Sequence, residues 1–136
     1  MRVVSRFLVD DTELSALHKR AFGGDIPLGT DWARRLNQHA LTWIGAFDND
    51  ELVGFIQVCW DGGTHAFILD TAVDPDWQRQ GIGTALVRQA IQEAKAAGCE
   101  WLHVDCDDDV AHFYFNTCGF ESTTAGILNL RTAELG

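Results

Sequence analysis

The chain has 136 residues, of which 46% are hydrophobic, enough to build one core without disulfide or metal staples. Its formal charge is −10, from ten basic and twenty acidic residues, which argues against nucleic acid or an anionic membrane as partner and suits a cationic substrate. No apolar run is long enough to span a bilayer.

The first predicted strand is Val3 to Val9. Asp10 or Asp11 then caps a helix in which Leu14, Leu17 and Ala21 recur with helical spacing. Gly23-Gly24 and Pro27 break that helix. Thr30 or Asp31 caps a short second helix carrying Trp32 and Leu36. Thr42 to Phe47 and Leu52 to Trp60 read as strands joined by Asp48-Asn49-Asp50-Glu51, a hairpin signal. Asp61-Gly62-Gly63-Thr64 turns the chain into a strand from Ala66 to Val73, and Pro75 ends it. Gly81 to Ala97 is helical, with Ile82, Leu86, Ala90 and Ala94 in one row and Gly98 at the position of a terminating glycine. Trp101 to Asp105 is the next strand. Asp108 or Asp109 caps a helix running to about Cys118, and Gly119 ends it. Phe120 to Ser122 and Ile127 to Arg131 are predicted to close the sheet. This order specifies an α/β chain, a single domain over 1–136. Its mixed sheet has six to seven strands, with helices on both faces.

The four cysteines, Cys59, Cys99, Cys106 and Cys118, include no C-x-x-C pair and no disulfide framework. The N-terminus lacks the sequence of a signal peptide, so a cytoplasmic protein is expected, with two or three thiols buried. His65, His103, Cys106 and His112 do not converge at any standard metal spacing, and no metal is expected.

Gln78-Arg79-Gln80-Gly81-Ile82-Gly83 lies between a strand and a helix. A glycine turn there leaves backbone N–H groups unpaired and aimed one way, an anion cradle aided by the helix dipole. A dinucleotide fingerprint would need a third glycine, and a P-loop would need a lysine; both are missing. What remains, Val73-x-Pro75 followed by Gln78-x-x-Gly81-x-Gly83, resembles the acyl-CoA signature R/Q-x-x-G-x-G/A of the GNAT superfamily of N-acetyltransferases. The resemblance extends over nearly the whole chain. Asp10 to Phe22 and Asp31 to Asn37 look like the family's early helices, Gly45 to Trp60 like its hairpin, and Tyr114 to Phe120 like the F/Y-rich helix before a G-F dipeptide.

The resemblance implies acetyl-CoA as co-substrate. The backbone of Arg79, Gln80, Gly81, Ile82, Gly83 and Thr84 would hold its pyrophosphate, beside Gln78. Ala72 and Val73 would pair with the pantetheine arm in a slot between their strand and Trp101–Asp105. The amide of Val73 is the family-matched donor to the thioester oxygen.

Transfer to an amine needs a base, because an alkyl ammonium with a pKa near ~10.4 is almost wholly protonated at pH 7. Asp70 is the first candidate for base or ammonium anchor, since it breaks an apolar run; a structural hydrogen bond is the other reading of it. Alternation places Asp70 and Ala72 on one face and Leu69, Thr71 and Val73 on the other. Asp105, with His103 on the same face, is the second candidate. The acidic cluster Asp105-Asp107-Asp108-Asp109 reads more simply as a solvated turn and helix cap.

By resemblance, Tyr114 is the general acid. The usual spacing, however, has three residues between F-Y and G-F, and this chain has four, which puts Phe115 on the tyrosine position. Either a local bulge restores Tyr114 or Phe115 occupies the site. Trp32 is a candidate to stack on an acceptor. The implied function is acetyl transfer to a primary amine of a small molecule or peptide, such as a polyamine, an aminoglycoside or a lysine side chain. The alternative is a non-catalytic acyl-CoA-binding module. A homodimer is expected by analogy alone.

Overall fold

An aspartate starts each of the first two helices. Asp10 accepts from Glu13 N at 3.0 Å to begin α1, Asp11–Phe22. Asp31 accepts from Arg34 N at 3.3 Å to begin α2, Trp32–His39. Such caps satisfy a backbone donor that the helix cannot, and each contributes about 1 kcal/mol. The structure, a computed structural model, describes residues 1–24 and 30–135. The break expected at Pro27 lies outside them; Gly23 ends α1 with φ 72°.

The strands are β1 (Arg2–Ser5), β2 (Ala40–Asp48), β3 (Glu51–Trp60), β4 (His65–Val73) and β5 (Trp101–Val104). They form one sheet in the order β1-β2-β3-β4-β5, antiparallel except for the parallel β4–β5 pair. β1 stops earlier than its apolar pattern predicts. Arg6 turns left-handed at φ 52° and donates its backbone N–H to Trp43 O, which ends the ladder. Between β4 and β5 run a short 3-10 turn, Pro75–Trp77, and α3, Ile82–Ala96.

Neighbouring β3 residues show the two layers. Phe55 packs with Leu14, Leu17, Trp32, Leu36, Trp43 and Ala72 in a cluster under α1 and α2. Gly54 points the other way, where a built Cβ would come within 2.9 Å of Ile82 Cγ2 and 3.2 Å of Leu86 Cδ1. α3 can lie this close because position 54 lacks a side chain. Farther along α3, Glu93 accepts from Ser5 Oγ and Thr42 Oγ1, both at 2.6 Å, tying the helix to β1 and β2.

Residues Met1–Cys106, which carry the whole sheet, form one compact unit, and Asp107–Gly136 form a second. In the second unit α4, Asp108–His112, has Asp107 at its N-cap, one residue earlier than predicted. It passes into a π-helical turn, Phe113–Thr117, closed by Cys118 N to Phe113 O at 2.9 Å. Gly119, at φ 81°, ends that turn.

The two closing strands expected at 120–122 and 127–131 are not formed. Among the described residues the sheet has five strands, not six to seven. An alternating pattern makes a strand only where a neighbour supplies the ladder and covers one face. Ile127, Leu128 and Leu130 are all exposed, so the pattern there has no covered face. None of the four cysteines is in a disulfide, and all are half-buried, not buried as expected. Among the described residues no helix is long and apolar enough to cross a membrane.

Candidate active site

Gly81 heads α3 in the left-handed conformation, φ 81° and ψ 8°, and Arg79 before it is left-handed too, at φ 64°. The first bond into the helix runs from Ala85 N to Gly81 O at 3.0 Å, and Gly81 has no side chain to cap the turn. The N–H groups of Ile82, Gly83 and Thr84 therefore have no acceptor within the helix, and they point out of its positive end. A Cβ at Gly81 would meet nothing within 4 Å. Packing does not require glycine there; the left-handed turn does, and a bare position leaves the N–H groups approachable.

The turn before the helix is anchored by Asp74, only 5% exposed. Its Oδ1 accepts from Asp76 N and its Oδ2 from Arg20 Nε, both at 3.0 Å, while its own N–H donates to Val53 O at 2.8 Å. Gln78 Nε2 donates to Val73 O at 3.4 Å. Sequence reasoning missed Arg20 and Asp74; Asp74 directly before Pro75 is the local signal of a cap, and none marks Arg20.

The parallel β4–β5 ladder runs from His65–Trp101 to Ile68–Val104 and stops. β4 continues to Val73 without a β5 partner, so the edge of Ala72 and Val73 is open to an added strand. Just past the last pair, β4 bulges. Phe55 faces Ala72, but Gln57 faces Leu69, leaving one extra residue on β4, and Asp70 takes φ 56°. A bulge of this kind re-aims side chains. Leu69 and Asp70 consequently line the same pocket, instead of lying on opposite faces as alternation predicts.

Asp70 is bound from three elements. His18 Nε2 of α1 lies 3.0 Å from Oδ1, Gln57 Nε2 of β3 donates to Oδ2 at 2.5 Å, and Arg35 of α2 is 3.8 Å from Oδ2. A non-glycine residue in this backbone region costs about 1–3 kcal/mol, and these contacts hold it there. Asp70, Gln57, Cys59, Leu69, Arg35 and His39 line an open pocket of about 350 Å³. Burial first, then the charge of Asp70, push the Cys59 thiol above its usual range, while Arg35 pulls it down.

His18, Gln57 and Arg35 were also missed, though traces of them exist. Gln57 interrupts an apolar strand as Asp70 does, and His18 follows Leu14 by four residues on the buried stripe of α1. Arg35 stands three residues after Trp32, and its guanidinium lies 4.2 Å from that ring's centroid. Trp32 itself is 1% exposed and donates Nε1–H to Ser15 Oγ at 3.0 Å. It is therefore a platform for Arg35, and the expectation that it stacks on an acceptor is corrected.

The second candidate, Asp105, is exposed beyond the end of β5. His103 is engaged elsewhere, its Nε2 2.8 Å from His65 Nδ1 and its ring stacked on Phe67. In the second unit Tyr114 is buried and packs edge-on against Phe113 and Phe120, whereas Phe115 is 38% exposed. The π-turn here accommodates the extra residue of the Tyr114–Gly119 spacing.

The chain matches the model of the acetyltransferase (GNAT) family over residues 12–120. It is 35% identical to an uncharacterised N-acetyltransferase of Pyropia yezoensis over 66 residues, 48% of this chain and 38% of that protein. It is 38% identical to the [ribosomal protein bS18]-alanine N-acetyltransferase of Escherichia coli K12 over 61 residues, 43% of this chain and 41% of that protein. The matched segments thus span less than half the length of these relatives. A GNAT-family acetyltransferase of Streptococcus pneumoniae superposes with a TM-score of 0.73 at 24% identity, covering 95% of this chain and 98% of that one. With a family match over most of its length, and with a mixed sheet whose β4 leads through a glycine turn into α3, the chain belongs to the GNAT acetyltransferase family.

Proposed function

We propose that the protein transfers an acetyl group from acetyl-CoA to a primary amine of a small molecule or peptide by direct attack on the thioester. One observation carries this reading: left-handed Gly81 opens the N-terminus of α3 beside a β4 edge that has lost its strand partner. The cradle suits a pyrophosphate, and the free edge at Ala72 and Val73 suits the amide-bearing arm that follows it. Arg79 adds positive charge next to the cradle.

Bound acetyl-CoA supplies an acyl group on a thiol leaving group. In the transfer a C–N bond forms and the C–S bond breaks. Asp70 holds the amine and takes its proton, directly or through water. The Val73 N–H donates to the thioester oxygen as it gains charge, and by the family resemblance Tyr114 is the candidate acid for the departing sulfur. A cytoplasmic location belongs to this reading, because four cysteines with no disulfide among them suit a reducing compartment.

The test pairs calorimetry with a thiol-release assay over a panel of amines. Wild type should bind CoA and release thiol only with an amine present. Gly81→Val should lose CoA binding, because a branched side chain both strains the turn and fills the approach. Asp70→Asn should keep CoA affinity while kcat falls by about 10²- to 10⁴-fold. Unchanged CoA affinity in Gly81→Val would refute the cradle, and binding without turnover on any amine would leave an acyl-CoA-binding module.

A further inference from the structure

The net charge of −10 favours a cationic acceptor at long range, but the pocket that holds Asp70 has a different polarity. Its rim is α2, where Arg35 and His39, one turn apart, both line it. Arg35 has a fixed place. Its guanidinium rests on the Trp32 ring, which is locked in the core by Ser15, so little side-chain freedom remains to be lost on binding. Its ion pair with Asp70 is long, at 3.8 Å, and its side chain is 48% exposed. Arg35 thus lines the pocket with about half of its side chain open to solvent and five N–H donors to offer. Asp70 also keeps lone pairs to spare, since His18 and Gln57 take one position on each oxygen.

The pocket thus presents an anion and a fixed cation side by side, and beside them the half-exposed Leu69. A polyamine lying here would bring a second positive charge against Arg35. An amine with an adjacent carboxylate meets both charges: its nitrogen faces Asp70, its carboxylate takes the Arg35 fork, and an apolar remainder covers Leu69.

We propose that the acceptor is an apolar amino acid, a zwitterion recognised through its carboxylate by Arg35 and through its amine by Asp70. The proposal rests on the transferase reading and narrows it. Arg35 is then the residue that sets acceptor specificity, and Trp32 is the positioning residue beneath it.

The test compares L-phenylalanine and L-methionine with phenethylamine, 3-(methylthio)propylamine, L-phenylalaninamide and spermidine, each at equal concentration of neutral amine. The amino acids should be preferred over their decarboxylated and amidated counterparts by about ten- to a hundredfold in kcat/KM, the scale of one charge-assisted hydrogen-bonded pair. Arg35→Met should collapse that ratio towards one, with the loss in KM, and Arg35→Lys should restore part of it. Preference for spermidine or phenethylamine, or a ratio that survives in Arg35→Met, would overturn the proposal and leave the transferase reading standing. An NMR titration with L-phenylalanine in the absence of acetyl-CoA separates the two failures. Shifts at the Gln57 side-chain amide and the Leu69 methyls, lost in Arg35→Met, would support the pocket assignment even if no acetyl group moved. No shifts with either amino acid would count against it.

Discussion

Asp70 shows what a single residue can reveal from sequence and what it cannot. A carboxylate inside the run Ala66 to Val73 demanded partners, and it has three. The identity of those partners was hidden, because His18, Arg35 and Gln57 come from separate elements and meet only in the fold. The bulge was hidden for another reason. Ala66, Ile68 and Ala72 are all buried at even positions, so the pattern looks like unbroken alternation across the very residue that breaks it. Cys59 offers a probe of this cluster. Its thiol is raised by burial and by Asp70 and lowered by Arg35. A raised folded-state value favours the protonated thiol, so its contribution to stability is complete below the unfolded value and is lost as pH rises through the folded one. With the other three cysteines replaced by serine, iodoacetamide should modify Cys59 along a pH profile displaced upward from a free thiol's. Asp70→Asn should move that profile down and Arg35→Met should move it further up; the opposite order would contradict the arrangement of charges.

At the scale of elements, helices were the easier reading. Their caps and stops are local, and Asp10, Asp31, Gly81, Gly98 and Gly119 all stand where the spacing put them. Strands depend on neighbours, which is why β1 came out short and the two closing strands did not form. The π-turn lies between these cases. A four-residue count between Tyr114 and Gly119 left two registers open, and the i to i+5 bond from Cys118 to Phe113 shows how the helix absorbs the surplus. Gly54 was read only as part of a strand, yet it sets the distance between α3 and the sheet. Gly54→Ala should destabilise the fold by about 1–3 kcal/mol, the usual cost of overpacking. It should also weaken CoA binding, because the displaced residues, Ile82 and Leu86, sit in the first turns of the cradle helix. Chemical denaturation and calorimetry on the same variant check both effects. A stability loss with unchanged CoA affinity would mean that the cradle tolerates the shift.

For the whole molecule, composition excluded more than it specified. The acidic balance argued against polyanionic partners, but it did not foretell a cation fixed at the mouth of the pocket. The fold class could be read from element order, and the family from the glycine turn within it. The unequal partnership of β4 and β5 has a dynamic consequence. Their ladder resembles a zip closed from one end and left open from Ile68 onward. Amides of Leu69 to Val73 that face away from β3 have no β5 partner, so deuterium should replace their hydrogens long before those at the centre of β2 and β3. If acetyl-CoA fills the opening, protection should appear there first. The melting temperature should rise with its concentration, by the equivalent of about 2.7 kcal/mol at a hundred times its dissociation constant. The sheet would then be complete only while that ligand is bound.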